Sequence, residues 1–197
     1  PDRLRAAGHT TIPFRHDPHA VTVPGCVDGW IALHGRFGSL PLTEVLAPAV
    51  ELAEQGFPAS PLLVGSCALL DDAGRTNLRE LATVATRPGA TVVRPGVART
   101  LRAIASGGRN AFYGGEFGHG LLGVADGLVS EADLERSQAD WVDVLSSSAF
   151  GVELHTIGPN SQGYLTRGAA ALADRVGIAD DPDDAAWAHV LIEAASL

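Results

Sequence analysis

Val21-Thr22-Val23 is a short β-forming run that stops on Pro24-Gly25, and Cys26 starts a helical pattern with no spacer between them. Proline lacks the amide a ladder needs and glycine frees the backbone, so the chain must change direction there. The pattern predicts a strand over 20–23. It then predicts a helix over 26–37, with apolar residues at Val27, Trp30, Ile31 and Leu33 and Gly38 as its stop.

Similar punctuation divides the rest of the chain. Over 42–55, Val45, Leu46, Ala49, Leu52 and Ala53 share one face, Glu44, Glu51 and Glu54 lie elsewhere, and Gly56 ends the run. Pro48 inside this helix removes a backbone hydrogen bond and should bend or divide it near Ala47. Ser60-Pro61 is a cap followed by a first-turn proline and opens a helix to about Leu70; a shorter helix is expected over 77–84. A third proline-first helix spans 95–106, with Val97, Leu101 and Ile104 inward and Gly107-Gly108 as its end. Ser130 with Asp133 forms a variant capping box for a helix to about Gln138. Residues 147–157 alternate as one strand, with Phe150, Val152, Leu154 and Thr156 on one side. Asn160-Ser161 caps a helix over 162–176, and Asp181-Pro182-Asp183-Asp184 places carboxylates at the positive end of the last helix. Residues 1–19 lack a period and read as a strap or loop. The remainder, 20–197, reads as the mostly helical body of a single domain, without repeats.

The 197 residues are 46% hydrophobic and 19% charged, enough to bury a core and incompatible with general disorder. All fourteen basic residues are scattered arginines and the net charge is −9, which argues against nucleic acid, whose binding needs clustered positive charge. No apolar run approaches the ~20 residues of a membrane-spanning helix. Cys26 and Cys67 have no CxxC spacing and are expected to be buried free thiols. A chain without methionine that opens on Pro1-Asp2 and stops at Leu197 in a helical pattern reads as an internal fragment.

Further motifs extend the first one in order: His34-Gly35-Arg36-Phe37-Gly38, Leu46-Ala47-Pro48-Ala49, Glu54-Gln55-Gly56-Phe57-Pro58, Arg94-Pro95-Gly96-Val97-Ala98-Arg99-Thr100-Leu101, Asn110-Ala111-Phe112-Tyr113-Gly114-Gly115, Gly158-Pro159-Asn160-Ser161-Gln162-Gly163 and Trp187 to Ala194. Together they resemble the large chain of the gamma-glutamyltransferases (gamma-glutamyltranspeptidases). The resemblance implies an α/β fold, the four-layer αββα sandwich of the N-terminal-nucleophile hydrolases, with this part supplying mainly helices and few strands. It implies cleavage of gamma-glutamyl amides of the glutathione type and transfer to water or an amine. The nucleophile would be a threonine exposed by autocatalytic cleavage, its own amino group acting as base.

Thr10-Thr11 lies on the wrong side of these motifs to be that nucleophile, and the carboxylate-gripping arginine would precede Pro1. No catalytic residue and no cofactor are therefore expected within the chain, which alone should be inactive. The implied partners are the small chain of its own precursor and a small gamma-glutamyl peptide. Apolar surface left uncovered would also favour self-association. Asn160, Ser161, Gln162 and Gly163 are the candidate substrate-proximal residues, since amides at a helix start can hold an anion or oxyanion. A helix cap needs the same residues. Two alternatives stand beside this reading: a non-catalytic helical interaction domain of the same fold, and an acylase acting on a related amide.

Other constellations read as structural. His9, His16 and His19 near Asp17 sit on no regular element that would fix metal geometry. His189 and Glu193 are four apart on one helix and should hydrogen-bond locally. Asp180, Asp181, Asp183 and Asp184 lack the glycine and final glutamate of a calcium loop. Trp30, Trp141 and Trp187 fall at apolar phases and are expected in the core.

Overall fold

The computed structural model describes residues 2–12 and 18–196. It divides into two compact units, Pro1–Ala139 and Asp140–Leu197, with no proline- or glycine-rich linker at the division.

In the first unit, α1 (Asp2–Ala6) and a 3-10 turn at Pro18–Ala20 precede α2 (Cys26–Phe37) and α3 (Leu42–Gln55). Then come β1 (Phe57–Pro58), α4 (Pro61–Ala68), α5 (Asp72–Asn77), α6 (Arg79–Ala82), β2 (Thr91–Val92), α7 (Pro95–Tyr113), α8 (Glu116–Val124) and α9 (Glu131–Glu135). The short β1 and β2 pair antiparallel, Phe57 opposite Val92. Helix α7 packs along α3 and also touches α2 and α8. Around it Val27, Ile104, Phe112, Tyr113 and Leu134 form one core, joined by Val23, Ile31, Leu46 and Phe117. Ala59, Cys67, Ala85 and Val92 form a second.

Helices α2 and α3 start and stop where proline, glycine and apolar period place them, at 26–37 and 42–55. Pro48 does not divide α3. Ser60 Oγ accepts the Leu63 amide at 3.1 Å and Pro61 follows, as expected of a capped start. The box at Ser130 is complete, with Asp133 bonded back to the Ser130 amide. Gly108 interrupts the helix of 95–106 as its sequence position implies, with φ 59° and ψ −142°, but a second helical segment continues to Tyr113.

Several expectations are corrected. Residues 21–25 form no strand, because among the described residues no neighbouring strand offers a ladder; Val23 packs on the core and the Pro24 carbonyl accepts the Tyr113 hydroxyl at 2.6 Å instead. Residues 2–6 of the expected strap are helical, and 13–17 lie outside the described residues. The inner stripe of α3 is Leu42, Leu46, Val50 and Ala53, which turns Val45, Ala49 and Leu52 outward. Cys67 is buried but Cys26, at the start of α2, is exposed. Trp30 and Trp141 are 42% and 55% exposed rather than core.

The second unit is a hairpin of β3 (Leu145–Ala149) and β4 (Val152–Thr156), then α10 (Gly163–Val176) and α11 (Ala185–Ala195). The single strand expected over 147–157 is thus two, turned at Phe150-Gly151, where both residues take positive φ (51° and 75°). Phenylalanine is an unusual occupant of that conformation, which hides the turn in the sequence. Register places Val152, Leu154 and Thr156 opposite Ala149, Ser147 and Leu145. This face meets α10, and α10 packs on α11. Asp184 caps α11 through the Ala186 amide, while Asp181 Oδ1 accepts the Asp183 amide. His189 and Glu193 share a helix but form no hydrogen bond with each other.

Candidate functional site

The loop between β4 and α10 brings Asn160, Ser161, Gln162 and Gly163 together as one tight turn. The Ser161 amide donates to the Gly158 carbonyl at 3.2 Å, and Ser161 Oγ accepts the Gly163 amide at 3.1 Å. Gln162 occupies the cap position of α10 without a side-chain bond, so Ser161 acts one residue earlier than a simple cap. Gly163 lies so close to β4 that a Cβ there would sit 1.8 Å from Thr156 Oγ1. Asn160 and Gln162 are exposed, and Ser161 and Gly163 half-buried. The turn offers polar side chains beside a helix start, with the Ser161 hydroxyl oxygen engaged by the Gly163 amide.

A second polar constellation was not singled out in the sequence. Asp28 in α2, 3% exposed, lies with Oδ1 2.7 Å from Arg109 Nε, and its Oδ2 accepts the Gln138 amide at 2.8 Å. Arg109 Nη2 donates to the carbonyls of Leu134 and Arg136 at 2.6 and 2.7 Å, and its guanidinium stacks 4.5 Å over the Tyr113 ring. Burial pushes the Tyr113 phenol above its ordinary range. A cavity of about 230 Å³ beside the cluster is lined by Arg109, Asn110, Tyr113, His119, Glu131 and Glu135, among others. Because Asp28 and two carbonyls already engage Arg109, the cluster ties α2, α7 and the segment after α9 together rather than presenting a free cation. The only sequence signal was the aspartate at an inward phase of α2.

On the outer face of the hairpin, Ser146 Oγ and His155 Nδ1 are 2.8 Å apart and His155 Nε2 is 3.7 Å from Glu153. This resembles a Ser–His–carboxylate relay only in residue type. His155 and Glu153 are 55% and 74% exposed, and water competes for every contact that a working relay must shield. It is the cross-strand pair that the register dictates, Ser146 opposite His155.

Among the described residues no three His, Cys, Asp or Glu side chains are placed to hold a metal. His9 and His19 have ring centroids 6.4 Å apart and tilted, while His16 and Asp17 lie outside the described residues. No helix among the described residues is long and apolar enough to cross a membrane.

The architecture matches solved enzymes. A crystal structure of the transpeptidase CapD from Bacillus anthracis superposes with a TM-score of 0.76 at 26% identity, covering 94% of this chain and 66% of that one. The fold is that of the N-terminal-nucleophile hydrolases of this kind, of which the present chain supplies a predominantly helical part with few strands. The gamma-glutamyltranspeptidase family model matches residues 3–197, and the chain belongs to that family. Relatives include the acylase ACY 1 proenzyme of Pseudomonas sp. strain SE83, 37% identical over 150 residues, which are 71% of this chain and 26% of the relative. Another is the glutathione hydrolase-like YwrD proenzyme of Bacillus subtilis, 31% identical over 172 residues, 80% of this chain and 31% of the relative. The chain therefore spans about a quarter to a third of the length of these curated relatives.

Proposed function

We propose that this chain is an internal part of the large chain of a gamma-glutamyltransferase-like enzyme, which cleaves gamma-glutamyl amides and passes the glutamyl group to water or an amine. The observation that carries this reading is the family match over nearly the whole chain. In the proposed reaction a threonine hydroxyl on a separate small chain attacks the amide carbon, its amino group takes the hydroxyl proton and returns it to the departing amine, and a glutamyl ester of the threonine is left. Water or an acceptor amine then attacks the ester carbon, loses a proton through the same amino group to the threonine oxygen, and leaves as glutamate or a new gamma-glutamyl amide with the hydroxyl restored. The nucleophile and the arginine that grips the substrate carboxylate lie on polypeptide outside this chain.

Within it, the turn at Asn160, Ser161, Gln162 and Gly163 is the substrate-proximal element. Supporting this are its polar exposed edge and the position of Ser161 and Gly163 at the start of α10. A second reading is an acylase acting on a related amide, favoured by the 37% identity to a relative named as an acylase.

The test is expression of the complete open reading frame. Intact mass should show self-cleavage, and the product should turn over a gamma-glutamyl anilide faster than a glutaryl anilide; the reverse preference would select the acylase reading. A product that neither cleaves itself nor turns over either amide would leave a non-catalytic domain. Pro1–Leu197 alone should show no turnover. In the complete enzyme Ser161→Ala should raise KM about three- to tenfold, the scale of one neutral hydrogen bond, and an unchanged KM would reduce the turn to a helix cap.

A further inference from the structure

Helix α3 carries two apolar stripes. The inner one, Leu42, Leu46, Val50 and Ala53, faces the body of the first unit, where α3 packs against α7. The outer one consists of Val45, Pro48, Ala49 and Leu52, which fall in a sector about 100° wide at helical spacing. Val45 is 49% and Leu52 54% exposed. Single exposed apolar residues are ordinary, but a stripe at i, i+3, i+4 and i+7 is the pattern of a helix packed on both sides. An open groove of about 390 Å³ runs beside it, lined by Pro48, Glu51, Leu52, Gln55 and Gly56.

Charge selects the occupant. Glu44 and Glu51 fall together on one flank of the outer stripe, with no arginine on α3 to balance them. A second copy of this chain would bring the same carboxylates against them and add its own net charge of −9. A helix with an apolar stripe and Arg or Lys along one edge would fill the groove and meet both glutamates. Polypeptide is available to supply it, since the chain spans only 26–31% of the two curated relatives described above.

We propose that the outer stripe of α3 seats an amphipathic helix with a basic edge, contributed by the rest of the same polypeptide. This rests on the reading of the chain as part of a larger enzyme, and it names the surface by which the two parts join.

The experiment uses the complete open reading frame with Cys26→Ser, to remove the exposed thiol. Val45→Cys and Leu52→Cys are compared with Thr86→Cys, at an exposed loop position, by maleimide labelling rate. The two helix positions should label about tenfold more slowly than the loop and equally fast once the protein is denatured. Adding Glu51→Arg should speed labelling of Leu52→Cys by repelling the basic edge. Carboxylate footprinting of the unsubstituted polypeptide provides the same test without a variant: Glu44 and Glu51 should be modified less than exposed Glu131. Equal labelling and footprinting at all these positions would overturn the proposal. So would protection that grows with protein concentration, which would mean that a second copy is the cover. Self-cleavage and anilide turnover, measured on the same preparations, report on the enzyme reading separately. An active enzyme with an unprotected α3 would refute this surface and leave that reading intact.

Discussion

Asp28 is a carboxylate withdrawn from water and compensated by one cation and one amide, so removing its charge leaves Arg109 beside a weak acceptor in a half-dry site. Asp28→Asn should cost about 3 kcal/mol, the low end for breaking a buried pair because Arg109 keeps some solvent contact. The midpoint of urea unfolding measures it. Tyr113 provides a second test at the same place. Its phenol donates to the Pro24 carbonyl and burial holds its pKa above the ordinary value of 10.0. For an acid raised in the folded state, the stabilisation is present below the unfolded pKa and lost as pH rises through the folded one. Wild-type protein should therefore lose stability above about pH 10 more steeply than Tyr113→Phe, as followed by thermal melts across alkaline pH. Individual side-chain environments were the least legible part of the sequence. Trp30 lies at an apolar phase of α2 yet faces outward, because a helix with apolar residues on two sides does not say which side its own unit buries.

Helix ends were the most legible elements, since Ser60, Pro61, Gly38, Gly56 and the Ser130–Asp133 box act through their own backbones and need no distant partner. Strands were less so, because a ladder exists only if a partner arrives: 20–23 found none, and 147–157 paired with itself at a turn with no glycine or asparagine at its first position. Phe150 at φ 51° carries a left-handed cost of about 1 kcal/mol, and Phe150→Asn should recover that much in chemical denaturation. Gly108 has the opposite sensitivity. Its φ of 59° with ψ −142° suits glycine alone, so Gly108→Ala should destabilise by more than about 1 kcal/mol, seen in the same assay. At α9 the Ser130 hydroxyl and amide hold the Asp133 carboxyl below its ordinary value of 3.8. Such a lowered acid stabilises above the unfolded pKa and loses that as pH falls through the folded one. The Ser130 and Asp133 amide resonances should therefore shift only below the ordinary aspartate range. The turn at residues 160–163 was legible as a turn, but the offset of Ser161 from the cap position was not, because it depends on the approach of Gly163 to β4.

For the molecule as a whole, collinear motifs spread from residue 20 onward made the family readable. The division at 139–140 was not, since neither composition nor loop residues change there and only the pattern of contacts separates the units. In the first unit the buried pair of Asp28 and Arg109 joins residues far apart in the chain. The hydrogen bond from the Gln138 amide to Asp28 spans 110 positions, so the last residues of the first unit return to its second helix, α2. A contact of such high sequence separation gives up most of its loop entropy before it is rewarded, which places it late in folding. A nascent chain that ends before Gln138 lacks the amide donor to Asp28 Oδ2. For this unit, the order of synthesis sets the moment at which its buried carboxylate gains its last partner.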